Sequence, residues 1–212
     1  MSKTNLIAWG IFLFGVAMIG LFYWFTVPGS KPQVVNEAPI EYGGPQMVIT
    51  VAGEANGEIV IELFDTLAPK HVERLSRLAA EHAYDGVVFH RVIDGFMAQT
   101  GDVQYGRLEG LDMRYAGSGG SDYEDLPAEF SKEDFHRGIV GMARTQDPDS
   151  ANSQFFIMFA DGPHLKGNYT VIGRVIEGMD VVDAIKRGNP SNGTVTGAPD
   201  VMQSVRVRPA TR

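Results

Sequence analysis

The sequence predicts a mainly β domain carrying two α-helices, preceded by one transmembrane helix. Three observations predict it. Runs rich in β-branched residues recur between turn signals, only two stretches carry helical apolar spacing, and an uncharged stretch of 22 residues opens the chain at Leu6–Val27. With 212 residues, 44% of them hydrophobic, the chain can bury one core of ordinary size and still carry an appendage.

In chain order, residues 1–5 form a short tail and 6–27 a transmembrane helix, since about 20 apolar residues cross a bilayer. A cleaved leader has a shorter apolar core, and Val27-Pro28-Gly29-Ser30 is a poor cleavage site, so the segment reads as an uncleaved signal anchor. Tyr23 and Trp24 suit an interfacial belt, and Lys3 favours a cytoplasmic N-terminus with the domain exported. Residues 28–45 hold four prolines and three glycines without apolar period, which predicts an extended linker. The domain is expected over 46–208, with 209–212 as a tail.

Within it, MVITV and EIVIELF flank Asn56-Gly57 and predict a hairpin. Asp65 or Thr66 is the expected cap of a helix bearing Val72, Leu75 and Leu78, ended by Asp85-Gly86. VVFHRVI predicts a strand, and residues 103–130 long loops. GIVGMAR, SQFFIMF and YTVIGRVI predict buried strands, GMDVVDAIKRG a short helix ending at Gly188, and MQSVRVR a closing strand. No internal repeat points to a solenoid or propeller.

Several functions are excluded or disfavoured by composition. A net charge of −8 without a Lys/Arg run argues against nucleic acid, and the absence of cysteine removes thiolate catalysis and disulfides. The five histidines, at 71, 82, 90, 136 and 164, show no paired ligand spacing, so no metal is expected. GSGGSD at 117–122 lacks the lysine and the strand-to-helix setting of a phosphate cradle and reads as a flexible loop. No GxSxG elbow is present, and the NYT and NGT triplets are short enough to arise by chance.

Arg91 stands out. Alternation along VVFHRVI would put Phe89, Arg91 and Ile93 on one face, so the guanidinium either reaches past apolar surface to water or is held in a pocket. In SQFFIMF, Gln154, Phe156 and Met158 share a face in the same way.

FHRVIDGFMAQTGD, GIVGMARTQDPDSANSQFFIMFAD and YTVIGRVIEGMDVVDAI, in this order, resemble the cyclophilin family of peptidyl-prolyl cis-trans isomerases, especially its bacterial members. The resemblance implies an eight-stranded antiparallel β-barrel closed by two helices. It implies X-Pro isomerisation during folding of exported proteins, with Arg91 as the principal catalytic residue and Gln99 beside it. It further implies a proline pocket of Phe96, Met97, Phe156 and Leu165, backbone contacts from Gln99 and Gln154, and groove contacts from Ala143 and Arg144. The chain departs from many eukaryotic relatives at His164, where they carry tryptophan, and at Tyr169, where they carry histidine, so weak cyclosporin binding is expected. The implied partners are proline-containing polypeptides and, through the anchor, a membrane. No cofactor is implied, a monomer is expected, and the expected location is a bacterial inner membrane with the domain on the periplasmic side. A binding module on the same fold, with little turnover, is the rival.

Overall fold

The computed structural model describes residue 35 and residues 39–211. The expected transmembrane helix at 6–27 and most of the expected linker lie outside the described residues. No helix among the described residues is long and apolar enough to cross a membrane.

Nine strands form one antiparallel sheet: β1 Gln46–Ala52, β2 Gly57–Leu63, β3 Val87–Val88, β4 Arg91–Ile93, β5 Met97–Thr100, β6 Ile139–Met142, β7 Phe155–Met158, β8 Val171–Glu177 and β9 Val201–Arg208. Their order is β3-β9-β1-β2-β8-β6-β7-β5-β4. The end strands β3 and β4 are consecutive in the chain, separated only by Phe89 and His90, so the sheet curls until its two edges are joined by that link. Inside the curl sit Ile49, Ile61, Leu63, Phe89, Val140, Phe155, Ile157 and Val205, all fully buried, with helix α1 (Pro69–Ala80) contributing Val72, Leu75 and Leu78. Helix α2 (Met179–Ala184) contributes Val182.

The strand count is nine, against the eight that the resemblance implies, and two differences bring the seven strands read from the residues to nine. VVFHRVI breaks, because Val87 and Val88 pair with β9 while Arg91–Ile93 pair with β5. Met97–Thr100, which carries no clear alternation, is a strand in the sheet. The break also shifts the faces: Phe89 joins Val92 in the core rather than sharing a face with Arg91.

The hairpin is present, but Asn56-Gly57 is not its two-residue turn. Val51 pairs with Gly57, and the longer connection is held by Asp200, whose Oδ1 accepts from Ala55 N at 2.8 Å. Helix α1 begins at Pro69, a residue suited to the first helical position, and neither Asp65 nor Thr66 caps it. The free amides of Lys70 and His71 are instead met by the Glu129 carboxylate, at 3.2 Å each, from a loop far along the chain. Helix α2 ends at Ala184, short of Gly188, because Ile185 turns to extended backbone and Lys186 N donates to Asp200 Oδ2.

Residues 39–45, within the stretch expected as linker, lie against the sheet. Leu63 N donates to the Pro45 carbonyl, and Gly43 N donates to Oε1 of Glu62, a side chain only 6% exposed. Arg174 pairs with Glu62 at 3.0 Å and lies under the Tyr42 ring. Ile40 packs on the apolar cluster that includes Phe156 and Met97.

Candidate active site

The strand register assembles the site in one row. Arg91 on β4 faces Gln99 on β5, Gln99 faces Phe156 on β7, and Phe156 faces Gly141 on β6. Directly opposed residues project to the same side of a sheet, so the pairing alone brings a cation, an amide and an aromatic ring together. Gly141 is the residue that makes room. A Cβ there would lie 2.6 Å from Phe156 Cζ and 2.7 Å from Phe135 Cε1.

Arg91, Phe96, Met97, Gln99, Ala143, Arg144, Phe156, Leu165 and Tyr169 line one cavity of about 130 Å³. This is close to the ~150 Å³ of engineered apolar cavities that take up a benzene ring, so the space suits a single small ring. Met97, Phe156 and Leu165 are buried, and Phe156 is held by stacking on Phe135 at 5.9 Å and by the edge of Tyr169 at 5.8 Å. Phe96 forms the rim, with His164 tilted over it at 5.5 Å. Beside this pocket runs a groove of about 590 Å³ that shares Gln99, Ala143 and Arg144 with it and is otherwise lined by residues 117–121, Tyr123, Asp125, Thr145, Ser150, Asn152 and Gln154. All of the expected site residues thus border one of the two spaces, Gln154 alone bordering only the groove.

The guanidinium of Arg91 is fixed from two sides. Nε donates to the Asn192 carbonyl at 3.1 Å and Nη1 to Gln99 Oε1 at 3.2 Å. Gln99 Nε2 donates to Gln154 Oε1 at 2.9 Å, and Gln154 Nε2 donates to the carbonyls of Gly117 and Gly119 at 3.0 and 2.8 Å. Both amide hydrogens of Gln154 are therefore committed within the protein.

The far end of this chain is Asp102, fully buried, whose carboxylate accepts from the backbone amides of Gln104, Tyr105, Gly117 and Gly119 at 2.7–3.0 Å. The glycines of GSGGSD are needed for close approach. A Cβ on Gly119 would meet Asp102 Oδ1 at 2.5 Å, and one on Gly117, where φ is +95°, would meet the His90 ring at 2.9 Å. The loop is thus tied down at several points, contrary to its reading as flexible. Asp102, Gly141 and the Asn192 carbonyl are functional groups that sequence reasoning missed, and only the glycine density at 117–120 hinted at them.

His90 is 3% exposed, and both its ring nitrogens are buried without a well-formed hydrogen bond among the described residues. Burial pushes its pKa down to about 4, outweighing the pull of Asp102, and Arg91 adds to the depression. Its folded pKa lies below the ordinary 6.5, so the unfolded chain takes up the proton first. Folded stability is expected to be unaffected by this residue above about pH 6.5 and to fall as the pH drops toward 4, by up to roughly 3 kcal/mol. Urea unfolding at pH 7.5 and 4.5 checks this, with His90→Phe losing less between the two pH values than the parent; parallel losses would contradict it.

The chain's similarity to known proteins follows the same residues. The family model described as cyclophilin type peptidyl-prolyl cis-trans isomerase/CLD matches residues 47–207. The chain belongs to this family. A Brucella suis protein described as a peptidyl-prolyl cis-trans isomerase is 59% identical over 146 residues, covering 68% of this chain and 74% of that protein. An Arabidopsis thaliana peptidyl-prolyl cis-trans isomerase is 38% identical over 162 residues, covering 71% and 67%. Among solved structures, a cyclophilin from Hirschia baltica superposes with a TM-score of 0.60 at 25% identity, over 76% of this chain and 72% of that one. A Cryptosporidium parvum cyclophilin type isomerase superposes with a TM-score of 0.64 at 24% identity, over 77% and 96%. The curled sheet with two helices is thus a cyclophilin fold, and the protein is an isomerase of the cyclophilin type.

Proposed function

We propose that isomerisation takes place in the cavity between Arg91 and Phe156, and that the protein acts on exported polypeptides from a membrane anchor. An X-Pro bond rotates over a barrier of roughly 18–20 kcal/mol because rotation breaks amide resonance. At the twisted midpoint the prolyl nitrogen regains a lone pair, which accepts a hydrogen bond that the planar amide refuses. A cation aimed at that nitrogen binds the transition state more tightly than either planar form, which is what lowers a barrier. Arginine suits the task because it stays charged and offers several donors in a fixed fork.

The observation that carries this reading is the fixed guanidinium at the mouth of an apolar, ring-sized cavity, held by Asn192 and Gln99 and paired with no carboxylate among the described residues. Phe96, Met97, Phe156 and Leu165 grip the pyrrolidine ring, Tyr169 closes the wall, and the free hydrogen of the Gln99 amide meets the substrate backbone. Ala143, Arg144 and Gln154 border the path of the flanking peptide. With the ring held, rotation occurs against a fixed end. The exposed His164 presents a smaller surface than tryptophan, which supports weak cyclosporin binding.

The uncharged Leu6–Val27 stretch, with Lys3 before it, supports a single-pass inner-membrane location with the domain on the periplasmic side and exported proteins as clients. The deciding experiment is a prolyl-isomerisation assay on a short Ala-Pro peptide with the full chain in non-ionic detergent. Acceleration well above the uncatalysed rate is expected. Binding of the peptide without acceleration would replace this reading with that of a proline-segment binder.

A further inference from the structure

Arg144 borders both the proline pocket and the groove, and its charge is unusually placed. Its Nε donates to the Asn168 carbonyl at 3.0 Å and its Nη1 to the carbonyls of Thr145 and Gln146, while the guanidinium stacks over Tyr169 at 4.6 Å. These contacts fix the position of the cation without neutralising it. Six other arginines, Arg77, Arg114, Arg137, Arg174, Arg187 and Arg206, each meet a carboxylate, whereas Arg74 and Arg107 are held on backbone carbonyls as Arg144 is, but border neither the proline pocket nor the groove beside it.

Carboxylates are not scarce near Arg144, in a protein of net charge −8. Asp125, in the same groove, accepts from Asn152 Nδ2; Asp147 accepts from Asp149 N; Glu129 is taken by His71 and the start of α1. Among the described residues none forms an ion pair with Arg144, so the junction of pocket and groove holds a half-buried positive charge, fixed by backbone carbonyls and met by no carboxylate.

We infer that Arg144 sets a substrate preference: the enzyme favours X-Pro segments with an acidic side chain adjacent to the proline and disfavours basic ones. A flanking residue of a peptide whose proline fills the pocket must pass this junction on its way into the groove. A pre-ordered cation there attracts a carboxylate at little entropic cost and repels an ammonium, and such charge complementarity selects partners more than it adds raw affinity. The inference rests on the cavity being the isomerase site, and Arg144 acts as a specificity residue, with no part in twisting the amide.

The test uses the full chain in non-ionic detergent and short peptides bearing Glu, Ala or Lys immediately before or immediately after the proline. A Glu-over-Lys ratio in kcat/KM of about 5-fold is expected at one of the two positions, shrinking as salt is raised. Within each protein the ratio is the readout, whatever the absolute rate. Arg144→Lys should keep the preference and Arg144→Gln should bring the ratio close to one. A wild-type enzyme that turns over the Ala peptide but shows a ratio near one at both positions overturns the inference, as does a preference that survives in Arg144→Gln. Should Arg144→Gln not fold, the wild-type ratio and its loss at high salt decide alone. Failure to turn over the Ala peptide at all removes the site reading, and this inference with it, and is thereby told apart from a mere lack of charge preference.

Discussion

Arg91→Ala is expected to lower kcat/KM for X-Pro isomerisation by about 10²–10³-fold, the range seen when one preorganised transition-state donor is removed from an enzyme. The loss is large because nothing else in the cavity can take over. The other cation on the cavity, Arg144, is held on the carbonyls of Asn168, Thr145 and Gln146, and the one free amide hydrogen of Gln99 is taken by the substrate backbone. The fold should tolerate the change, since Arg91 is only half-buried and its partners, the Asn192 carbonyl and Gln99 Oε1, remain open to water at the pocket mouth. Arg91→Lys should recover only part of the rate. An ammonium keeps the charge but lacks the planar fork that serves Asn192, Gln99 and the prolyl nitrogen together. An exchange-rate assay on a proline peptide, with circular dichroism to confirm folding, checks both variants.

The second large effect is expected at Asp102, which does not line the proline pocket. Asp102→Ala strands four backbone amides, those of Gln104, Tyr105, Gly117 and Gly119, around a site that is fully buried in the native protein. Leaving buried donors unmet costs on the order of 1–3 kcal/mol each before relaxation, and water entry along the groove reduces the sum, so a net loss of about 3–5 kcal/mol is expected. Asp102→Asn is nearly the same size yet should also be costly. Its Oδ1 can still accept from Gln104 and Tyr105, but its Nδ2 would then face the amides of Gly117 and Gly119, donor against donor. Activity should fall with stability, because the Gly117 and Gly119 carbonyls orient Gln154, Gln154 orients Gln99, and Gln99 holds Arg91. Urea unfolding measures the first effect and kcat/KM at a temperature where the variant is folded measures the second. A change of less than about 1 kcal/mol for Asp102→Ala would show that the loop does not depend on this carboxylate.

The sequence carried the site's residue types better than their wiring. Arg91, Gln99 and Phe156 were legible through the family resemblance that FHR, GFMAQ and SQFF carry, alternation alone leaving Arg91 open, and strand pairing places them side by side. Their supports come from residues far apart in the chain. The carbonyl that holds Arg91 belongs to Asn192, 101 positions away, and any residue type could have supplied it. The cap of α1 is Glu129 rather than a local Asp or Thr, because Pro69 starts the helix after the chain has already turned away from Asp65 and Thr66. The break at Phe89-His90 also escaped period-2 reasoning. That link must pass from one edge of a curled sheet to the other, so regular alternation ends there although every residue type suits a strand. Similarly, GSGGSD reads as flexible by composition, yet its glycines are there so that a buried carboxylate and an imidazole can approach the backbone.

The central claim is that the Arg91 cation acts on the twisted amide and not on the bound planar peptide. The most direct measurement separates the two by nuclear magnetic resonance: titration gives Kd for a proline peptide, and exchange line shapes give the isomerisation rate on the enzyme, for the wild type and Arg91→Ala. The expected result is a Kd changed by less than about 3-fold and an on-enzyme rate reduced by about 10²–10³-fold. A weakened Kd with an on-enzyme rate equal to that of the wild type would contradict the claim, making Arg91 a peptide anchor and leaving the acceleration to the apolar walls.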